Sequence, residues 1–368
     1  MIKINIKSSN PTETLGALGK RSKEFCVRAC VFLTQSERIA ISSEYSCIIL
    51  ILLLRRMDAT GSSKVRVLIT GVSGWVGQFV WQRLVQDYRS SNGPAGEDAY
   101  ENMSIDLYGT YGNKCPLWIP SDRCLKLDVE NEKSIADVLS ETKPDIVLHM
   151  AAISFPDVCE KDQERGERVN NPSGFIQYIK TYLPNCFVIF TSSALVYDGE
   201  HAPYSPDFDT EAVPPICAYG RSKLKFENQV LTLSKSTVLR FSNVLGPSFV
   251  YKHGEFKFME WLYTVFTQRK YLDFRHDEIR SFVYINDVVD LLSNLISSSV
   301  CSLSGSSSPT HEPAVDLSKV YGRRFNVGGP RGLSRLDIAT LVAKSSGVDV
   351  QIGTENSISL NKSLVFMP

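Results

Sequence analysis

Short apolar runs alternate with segments of helical periodicity along most of this chain. The run VRVLIT at residues 65–70 is rich in β-branched residues and suits a buried parallel strand. Further strands are predicted in SIDLYGTY, PDIVLHMAA, CFVIF and STVLRF, with helices in FVWQRLVQDY, over residues 131–142 and after Pro215. Strands that alternate with helices indicate βαβ units. We therefore predict an α/β fold, a doubly wound parallel sheet with helices on both faces.

The alternation loosens after Pro247, where we predict a small C-terminal substrate-binding lobe. We expect residues 57–246 to form the main domain and 247–368 to form this lobe, interleaved with the main domain and truncated at its end. The Ser-rich stretch 297–313 has few bulky apolar residues and is predicted to be a mobile surface loop. A helix should begin after Ser334 as N-cap, with Asp337 in its first turn and Gly347 as its C-cap.

The first 56 residues differ in composition from the rest of the chain. They are basic and end in the apolar run CIILILLLRR, which is too short for a bilayer span of about 20 residues. A basic, acid-poor leader is typical of an organelle transit peptide. The alternative is a disordered or artefactual extension, with the working protein beginning at Met57. Of the two, we expect a disordered or artefactual extension.

Charge and cysteine content limit the partners and the compartment. Lys+Arg and Asp+Glu are both 40, so no net charge attracts nucleic acid or a membrane surface. The nine cysteines are scattered, and the closest pair, Cys26 and Cys30, lacks a second pair at zinc spacing. We therefore predict no metal site, reduced thiols and a cytoplasmic location, with a transit peptide as the alternative.

A glycine-containing turn, TGVSGWVG, follows the first strand and opens a helix. Gly71 permits a tight turn, Gly74 permits close approach of a pyrophosphate, and Gly77 permits close packing of helix on sheet. With Trp75 and Val76, these residues would present the helix N-terminus to phosphates. The alternative is a merely tight turn. The strand–loop–helix context favours a Rossmann-like nucleotide site.

Three polar side chains follow in the order that a second site would need. Ser193 lies directly after a buried strand, where parallel sheets bind ligands. Ser192 precedes it, and alternation along the strand should turn the two serines to opposite sides. Tyr219 and Lys223 are four residues apart, so they share one helix face. Such a pair also occurs by chance in many helices, and its position after the glycine loop and Ser193 favours a catalytic pair.

Several motifs together resemble one superfamily over about residues 64 to 350. The G-x-x-G-x-x-G spacing, VYDG, HAPYSPDFD, YGRSKLKFE with Glu227, VLRFSNVLGP and RSFVYIND are similar to those of extended short-chain dehydrogenases/reductases. Within these, the chain looks most like the dTDP-4-dehydrorhamnose reductase (RmlD-like) branch. That branch also includes the regulatory β subunit of methionine adenosyltransferase. The resemblance departs at Ala194, where the reductases commonly have Asp, and this loosens the assignment to rhamnose chemistry.

The resemblance implies roles for the three polar side chains. Tyr219 would exchange the proton at a substrate carbonyl, and Ser193 would fix the carbonyl oxygen. Lys223 would lower the pKa of Tyr219 and hold the nicotinamide ribose. Asn243 and Arg280 would contact the nucleotide-sugar substrate. An alternative for Arg280 is an ion pair with Asp287 or Glu278.

The resemblance also implies further cofactor contacts. Asp128 and Val129 match the pair that meets the adenine, although Asp128 could instead be a turn or helix-cap residue. Ala151 and Ala152 would let the cofactor lie against a strand end. Asn170 matches a position near the nicotinamide ribose, with a helix cap as its alternative.

These residues lead to an enzyme prediction with two alternatives. The chain is predicted to reduce a nucleotide-linked 4-keto-6-deoxy sugar with NAD(P)H. The alternatives are a nucleotide-sugar epimerase and an NAD(P)-binding regulatory subunit, whose partner would be a methionine adenosyltransferase catalytic subunit; a homodimer is also considered. No carboxylate ends the second strand, since Asp106 is too early and Lys114 lies just beyond, which favours NADP over NAD.

Overall fold

The computed structural model describes residues 64–89, 103–247, 258–259, 261–262, 277–305 and 315–345. The strands in these residues are β1 (Val65–Thr70), β2 (Ile105–Tyr111), β3 (Cys124–Lys126), β4 (Ile146–His149), β5 (Phe187–Ser193), β6 (Ser236–Phe241), β7 (Val244–Leu245), β8 (Val283–Tyr284) and β9 (Arg323–Val327). The α-helices are α1 (Trp75–Tyr88), α2 (Glu132–Thr142), α3 (Pro156–Lys161), α4 (Gln163–Asn170), α5 (Ser173–Tyr182), α6 (Ala218–Val230), α7 (Ile285–Ser304) and α8 (Arg335–Ser345).

The main sheet has seven parallel strands in the order β3-β2-β1-β4-β5-β6-β9. The first described strand, β1, lies inside the sheet, with β2 and β3 added outward on one side and β4 on the other side of β1. Strand order therefore reverses between β1 and β4, and such a reversal opens a crevice at the carboxyl ends of the strands. The predicted Rossmann-like doubly wound α/β fold is confirmed.

Both faces of the sheet are covered by apolar helices. Val67 and Ile69 of β1 pack in one core cluster with Trp81 of α1 and with the apolar face of α7. The intervening Leu68 points to the other cluster, which contains Phe226 of α6 and apolar residues of α2 and α5. Opposite faces of one strand are thus both buried, which explains why β1 reads as a continuous apolar run.

The last described strand comes from the region predicted to form the separate lobe. β9 pairs with β6 in parallel register, with Leu239 opposite Phe325. Helix α7 packs against α1 in the core of the main sheet. The range 247–368 therefore contributes strand β9 to the main sheet and helix α7 to the layer packed on it, in addition to any separate lobe. The rest of the predicted domain division stays a prediction, because residues 1–56 and 346–368 lie outside the described residues.

The prediction of a mobile Ser-rich loop at 297–313 is wrong for its first part, because helix α7 extends to Ser304. The Tyr88 hydroxyl donates to Ser297 Oγ at 3.0 Å, and the Val315 N–H donates to Ser298 Oγ at 2.8 Å. Both serines are buried. Low hydrophobicity suggested exposure, yet small hydroxyls with hydrogen-bond partners can be buried in a helix.

Helix α8 begins as predicted with a reciprocal cap. The backbone N–H of Ser334 donates to Asp337 Oδ2 at 2.7 Å, and the N–H of Asp337 donates to Ser334 Oγ at 3.1 Å. This arrangement satisfies orphan donors at the helix start. The predicted C-cap, Gly347, lies outside the described residues. Across the described ranges, no helix is both long and apolar enough to cross a membrane.

Candidate active site

The glycine loop joins β1 to α1 with backbone contacts too close for any side chain. Gly71 has φ +72°, and a Cβ on it would lie 2.9 Å from the backbone of Ala151. A Cβ on Gly77 would lie 2.6 Å from the carbonyl oxygen of Gly71. Gly74 is the N-cap of α1, with no side-chain cap and no acidic residue in the first turn. The N-terminus of α1 therefore suits the phosphates of a dinucleotide.

The end of β4 is held against this loop by Thr70. Its Oγ1 accepts hydrogen bonds from the N–H groups of Met150 at 3.1 Å and Ala151 at 3.2 Å. The same oxygen lies 3.0 Å from Nδ1 of the fully buried His149. Ala151 is thereby fixed beside Gly71, and Ala151 and Ala152 are both partly buried at the strand end where they were predicted.

The side chain of Asn170 connects the end of β4 to helix α6. Its Oδ1 accepts from the N–H of Ile153 at 2.8 Å, and its Nδ2 donates to the carbonyl oxygen of Ile153 and to Ser222 Oγ, both at 3.2 Å. Ser222 Oγ in turn donates to the carbonyl oxygen of Tyr219 at 2.8 Å. Asn170 is 1% exposed and ends α4. Its polar atoms thus hold neighbouring segments in place beside the predicted site.

Ser193 and Tyr219 lie close to each other at the carboxyl edge of the sheet, and Lys223 follows Tyr219 by one helical turn. Ser193 ends β5, while Tyr219 and Lys223 lie one turn apart on α6. The Ser193 hydroxyl accepts from the N–H of Leu195 at 3.2 Å and lies near the Tyr219 hydroxyl, whose pKa it lowers. The Lys223 ammonium lies over the ring of Phe190, 4.3 Å from its centroid. Tyr219 and Lys223 are 8% and 2% exposed.

Burial dominates the electrostatics of this pair. It raises the pKa of Tyr219 above its usual value, Cys159 raises it further, and the nearby Ser193 hydroxyl lowers it. Burial lowers the pKa of Lys223 to about 7, while Glu227 and Cys159 oppose that change. Tyr219 therefore holds its proton in the free protein, and Lys223 can change its charge near neutral pH.

Two buried thiols lie beside Tyr219. Cys159 of α3 and Cys217, the N-cap of α6, form a small apolar cluster with Tyr219 and Ala218. Burial raises the pKa of both thiols, so they stay protonated. Within the described ranges, no group of three or more His, Cys, Asp or Glu residues could hold a metal ion.

The predicted adenine contacts lie at the end of β3. Asp128 is exposed, and its Oδ1 accepts from the N–H of Glu130 at 3.0 Å, which makes it a turn residue in this structure. Val129 is partly buried against the second core cluster. In the glycine loop, Val76 is partly buried against the first cluster, and Trp75 Nε1 donates to the carbonyl oxygen of Pro247 at 2.9 Å.

The two predicted substrate residues flank the β7–β8 pair. The carbonyl oxygen of Asn243 accepts from the N–H of Val283 at 3.0 Å. Arg280 binds Glu278 through Nε at 3.1 Å and Nη2 at 3.0 Å, which is one of its two predicted alternatives. The described contacts do not bring Arg280 to Ser193, Tyr219 or Lys223.

Sequence reasoning missed the buried polar residues behind these three residues. Thr70 and His149 were read only as strand residues, and Glu227 only as part of a motif. A useful signal was Arg240, a lone charge within the apolar strand STVLRF, because a buried charge requires a partner. Glu227 is that partner, at 2.7 Å.

Two proteins of known name match parts of this chain. Over 231 residues, 62% of this chain and 66% of the relative, the chain is 26% identical to dTDP-4-dehydrorhamnose reductase of Aggregatibacter actinomycetemcomitans. Over 166 residues, 45% of this chain and 43% of the relative, it is 26% identical to methionine adenosyltransferase 2 subunit beta of Danio rerio. The chain thus spans less than two thirds of the length of each of these two relatives.

Solved structures show the same fold at lower identity. One is the dTDP-4-dehydrorhamnose reductase of Bacillus anthracis in complex with NADP, with a TM-score of 0.56, 20% identity, and coverage of 79% of this chain and 84% of that one. Another is the UDP-glucose 4-epimerase of Thermus thermophilus in complex with NAD, with a TM-score of 0.56, 18% identity, and coverage of 77% and 84%. Residues 67–301 match the family described as the NAD dependent epimerase/dehydratase family. The chain belongs to that family.

Proposed function

We propose that this chain reduces a nucleotide-linked 4-keto-6-deoxy sugar with NAD(P)H, and that Tyr219 is the proton donor. The observation that carries the proposal is the buried Tyr219 side chain beside Ser193, with Lys223 one helical turn away on the same helix. A family of NAD(P)-binding oxidoreductase-type enzymes and a relative named dTDP-4-dehydrorhamnose reductase support it.

Ser193, Tyr219 and Lys223 have separate roles in the proposed reduction. When bound, the nicotinamide cofactor would supply a hydride to the carbonyl carbon. Ser193 would hold the carbonyl oxygen, and Tyr219 would donate its proton to that oxygen as negative charge develops. The Lys223 ammonium would stabilise the resulting phenolate, because an opposite charge favours the ionised form. The raised pKa of Tyr219 suits a group that must first hold its proton.

The end of β2 bears on the choice between NADP and NAD. Asp106 lies near the start of β2 and is 3.4 Å from Arg123, so it does not stand at the strand end. Lys114, just beyond Tyr111 at the end of that strand, is exposed. A lysine without a competing carboxylate favours a 2′-phosphate, so NADP is the preferred cofactor. Lys114→Ala should raise KM for NADPH more than KM for NADH.

A substrate panel with the Tyr219→Phe variant tests the proposal. The wild-type protein should consume NADPH with dTDP-4-keto-6-deoxyhexoses, and Tyr219→Phe should lower kcat roughly 10²–10⁴-fold. Tyr178→Phe, on α5, serves as the matched control and should leave kcat unchanged. Full turnover by Tyr219→Phe would overturn the assignment of the proton donor.

Regulation of a methionine adenosyltransferase is the second candidate. It is supported by the relative named methionine adenosyltransferase 2 subunit beta, 26% identical over 166 residues. Purified chain should then form a complex with a methionine adenosyltransferase catalytic subunit in size-exclusion chromatography. A nucleotide-sugar epimerase would instead interconvert sugar epimers without net consumption of NADPH. Chromatography and the substrate panel together separate the three activities.

A further inference from the structure

Glu227 lies on helix α6 four residues after Lys223, and therefore one turn away on the same helix face. Its side chain is fully excluded from solvent. A buried carboxylate is unfavourable unless it is paired and hydrogen-bonded. The hydrogen-bond partners of Glu227 therefore indicate why this helix position is occupied by an acid.

Three strands of the sheet bind this one carboxylate. Arg240 of β6 donates through Nε at 3.0 and 3.1 Å and through Nη2 at 2.7 Å. Arg324 of β9 donates through Nε at 3.1 Å, and Ser192 of β5 donates through Oγ at 2.5 Å. Helix α6 is thereby fixed to β5, β6 and β9 at a single point.

The two adjacent serines of β5 contact two different residues of α6. Ser192 donates to Glu227, and Ser193 lies beside Tyr219, two turns earlier on the helix. The contact of Ser192 with Glu227 fixes helix α6 relative to the end of β5. That position of the helix places Tyr219 beside Ser193. A shift of about 1 Å in the placement of catalytic groups can lower rates about 10²-fold.

Glu227 also sets the charge around Lys223. The titratable groups that face the ammonium are Glu227 on its own helix, Cys159 of α3 and His149 of β4. Burial keeps Cys159 protonated and His149 neutral at neutral pH. Glu227 is the carboxylic acid of this set, and its charge favours the ammonium form of Lys223.

We propose that Glu227 is a positioning residue that aligns α6 with the end of β5 and keeps Lys223 in its cationic form. The inference rests on the proposed function, because the ammonium is given its role there. A buried ion pair is weak evidence for stability, since apolar replacements are often neutral or stabilising. Its electrostatic effect on Lys223 is therefore the property to test.

The Glu227→Gln variant tests that effect through NADPH binding, which requires no turnover. Removing the carboxylate takes away the negative charge that favours the ammonium form of Lys223, so the ammonium should lose its proton at lower pH. Kd for NADPH, measured by nucleotide fluorescence, should rise roughly tenfold at pH 8 and less than about twofold at pH 6. Glu167→Gln, an exposed acid paired with Lys225, is the matched control and should change neither value.

A double variant separates charge from folding. Glu227→Leu with Arg240→Met replaces the fully buried ion pair by apolar side chains, while the partly exposed Arg324 keeps Asn228 as a partner, and the variant should restore stability. Weakened NADPH binding at pH 8 should persist in it, because the carboxylate is still absent. Wild-type pH dependence in both variants would overturn the inference. Binding of NADPH by the wild type without any turnover of keto-sugars would instead reject the proposed reductase alone, and no NADPH binding would reject both.

Discussion

The hydroxyl of Thr70, at the end of β1, donates to Nδ1 of His149, at the end of β4, over 3.0 Å. The direction follows from the other bonds of Thr70, whose oxygen already accepts from the N–H groups of Met150 and Ala151. Nδ1 is therefore unprotonated, and the proton of the neutral ring is on Nε2. That atom is buried and has no hydrogen-bond partner among the described residues.

Acid should destabilise the protein through His149. Burial lowers the pKa of this imidazole to about 3, from 6.5 in the unfolded chain. Between those values the unfolded state binds the extra proton, so stability is complete above pH 6.5 and is lost as pH falls. The slope should be about 1.4 kcal/mol per pH unit. His149→Asn, which keeps an acceptor for Thr70, should flatten the slope in urea titrations.

Thr70→Val is the control for that measurement. It should lower the free energy of unfolding at every pH, because it leaves the Ala151 N–H without an acceptor and leaves the Met150 N–H only its 3.3 Å bond to the Thr70 carbonyl oxygen. It should keep the acid slope, since His149 remains buried. An unchanged slope in His149→Asn would reject the assignment to this residue.

Lys223→Met should stabilise the free protein while it abolishes activity. Burial lowers the pKa of the ammonium to about 7, from 10.5 in the unfolded chain. Below pH 7 the folded state carries the full penalty of a buried cation, and the penalty shrinks as pH rises towards 10.5. The variant should gain a few kcal/mol at pH 6 and progressively less above pH 8, measured by thermal unfolding at each pH.

Lys225→Met is the matched control on the same helix. Lys225 is exposed and paired with Glu167, so its loss should change stability by less than about 1 kcal/mol at any pH. A destabilised Lys223→Met at pH 6 would show that the ammonium contributes favourable contacts that outweigh its desolvation.

Gly77→Ala should damage the cofactor loop. The added Cβ would lie 2.6 Å from the carbonyl oxygen of Gly71 and 2.8 Å from Val72 Cα. Backbone atoms cannot yield as a side chain can, so the free energy of unfolding should fall by about 1–3 kcal/mol. NADPH affinity should fall as well, because α1 must move away from the loop. Gly112→Ala, whose Cβ would meet no atom within 4 Å, should be neutral in both measurements.

Asn170→Ala should loosen the segment after β4. The change removes the hydrogen bonds to the backbone of Ile153 and to Ser222. Buried groups left without partners each cost about 1–3 kcal/mol, so chemical denaturation should show a loss of roughly 2–4 kcal/mol. Hydrogen exchange should rise at Ile153. Asn171→Ala removes one contact to Gln229 and should have a smaller effect; equal losses would contradict a special role for Asn170.

The sheet and the glycine loop could be predicted because local patterns determine them. VRVLIT needs both of its faces buried, and Gly71 occupies a positive-φ position that other residues rarely adopt. The order of the Ser, Tyr and Lys residues likewise follows from strand and helix ends. These features need no knowledge of distant contacts.

The remaining features depend on contacts between distant residues. Ser297 and Ser298 look like loop residues until Tyr88 and Val315 are brought against them. The choice of Glu278 rather than Asp287 as the partner of Arg280 depends on how the β7–β8 region turns. Composition and spacing do not contain that information.

The pairing of β9 with β6 has a consequence for the order of events during synthesis. Arg324 enters the sheet with β9 and completes the set of donors around Glu227. Until the ribosome has released the chain beyond Val327, β6 is an open edge and the anchor of helix α6 lacks one of its cations. Nascent chains stopped at residue 246 would therefore expose the unpaired edge of β6, and helix α6 would gain its full set of contacts at Glu227 only after β9 pairs with β6.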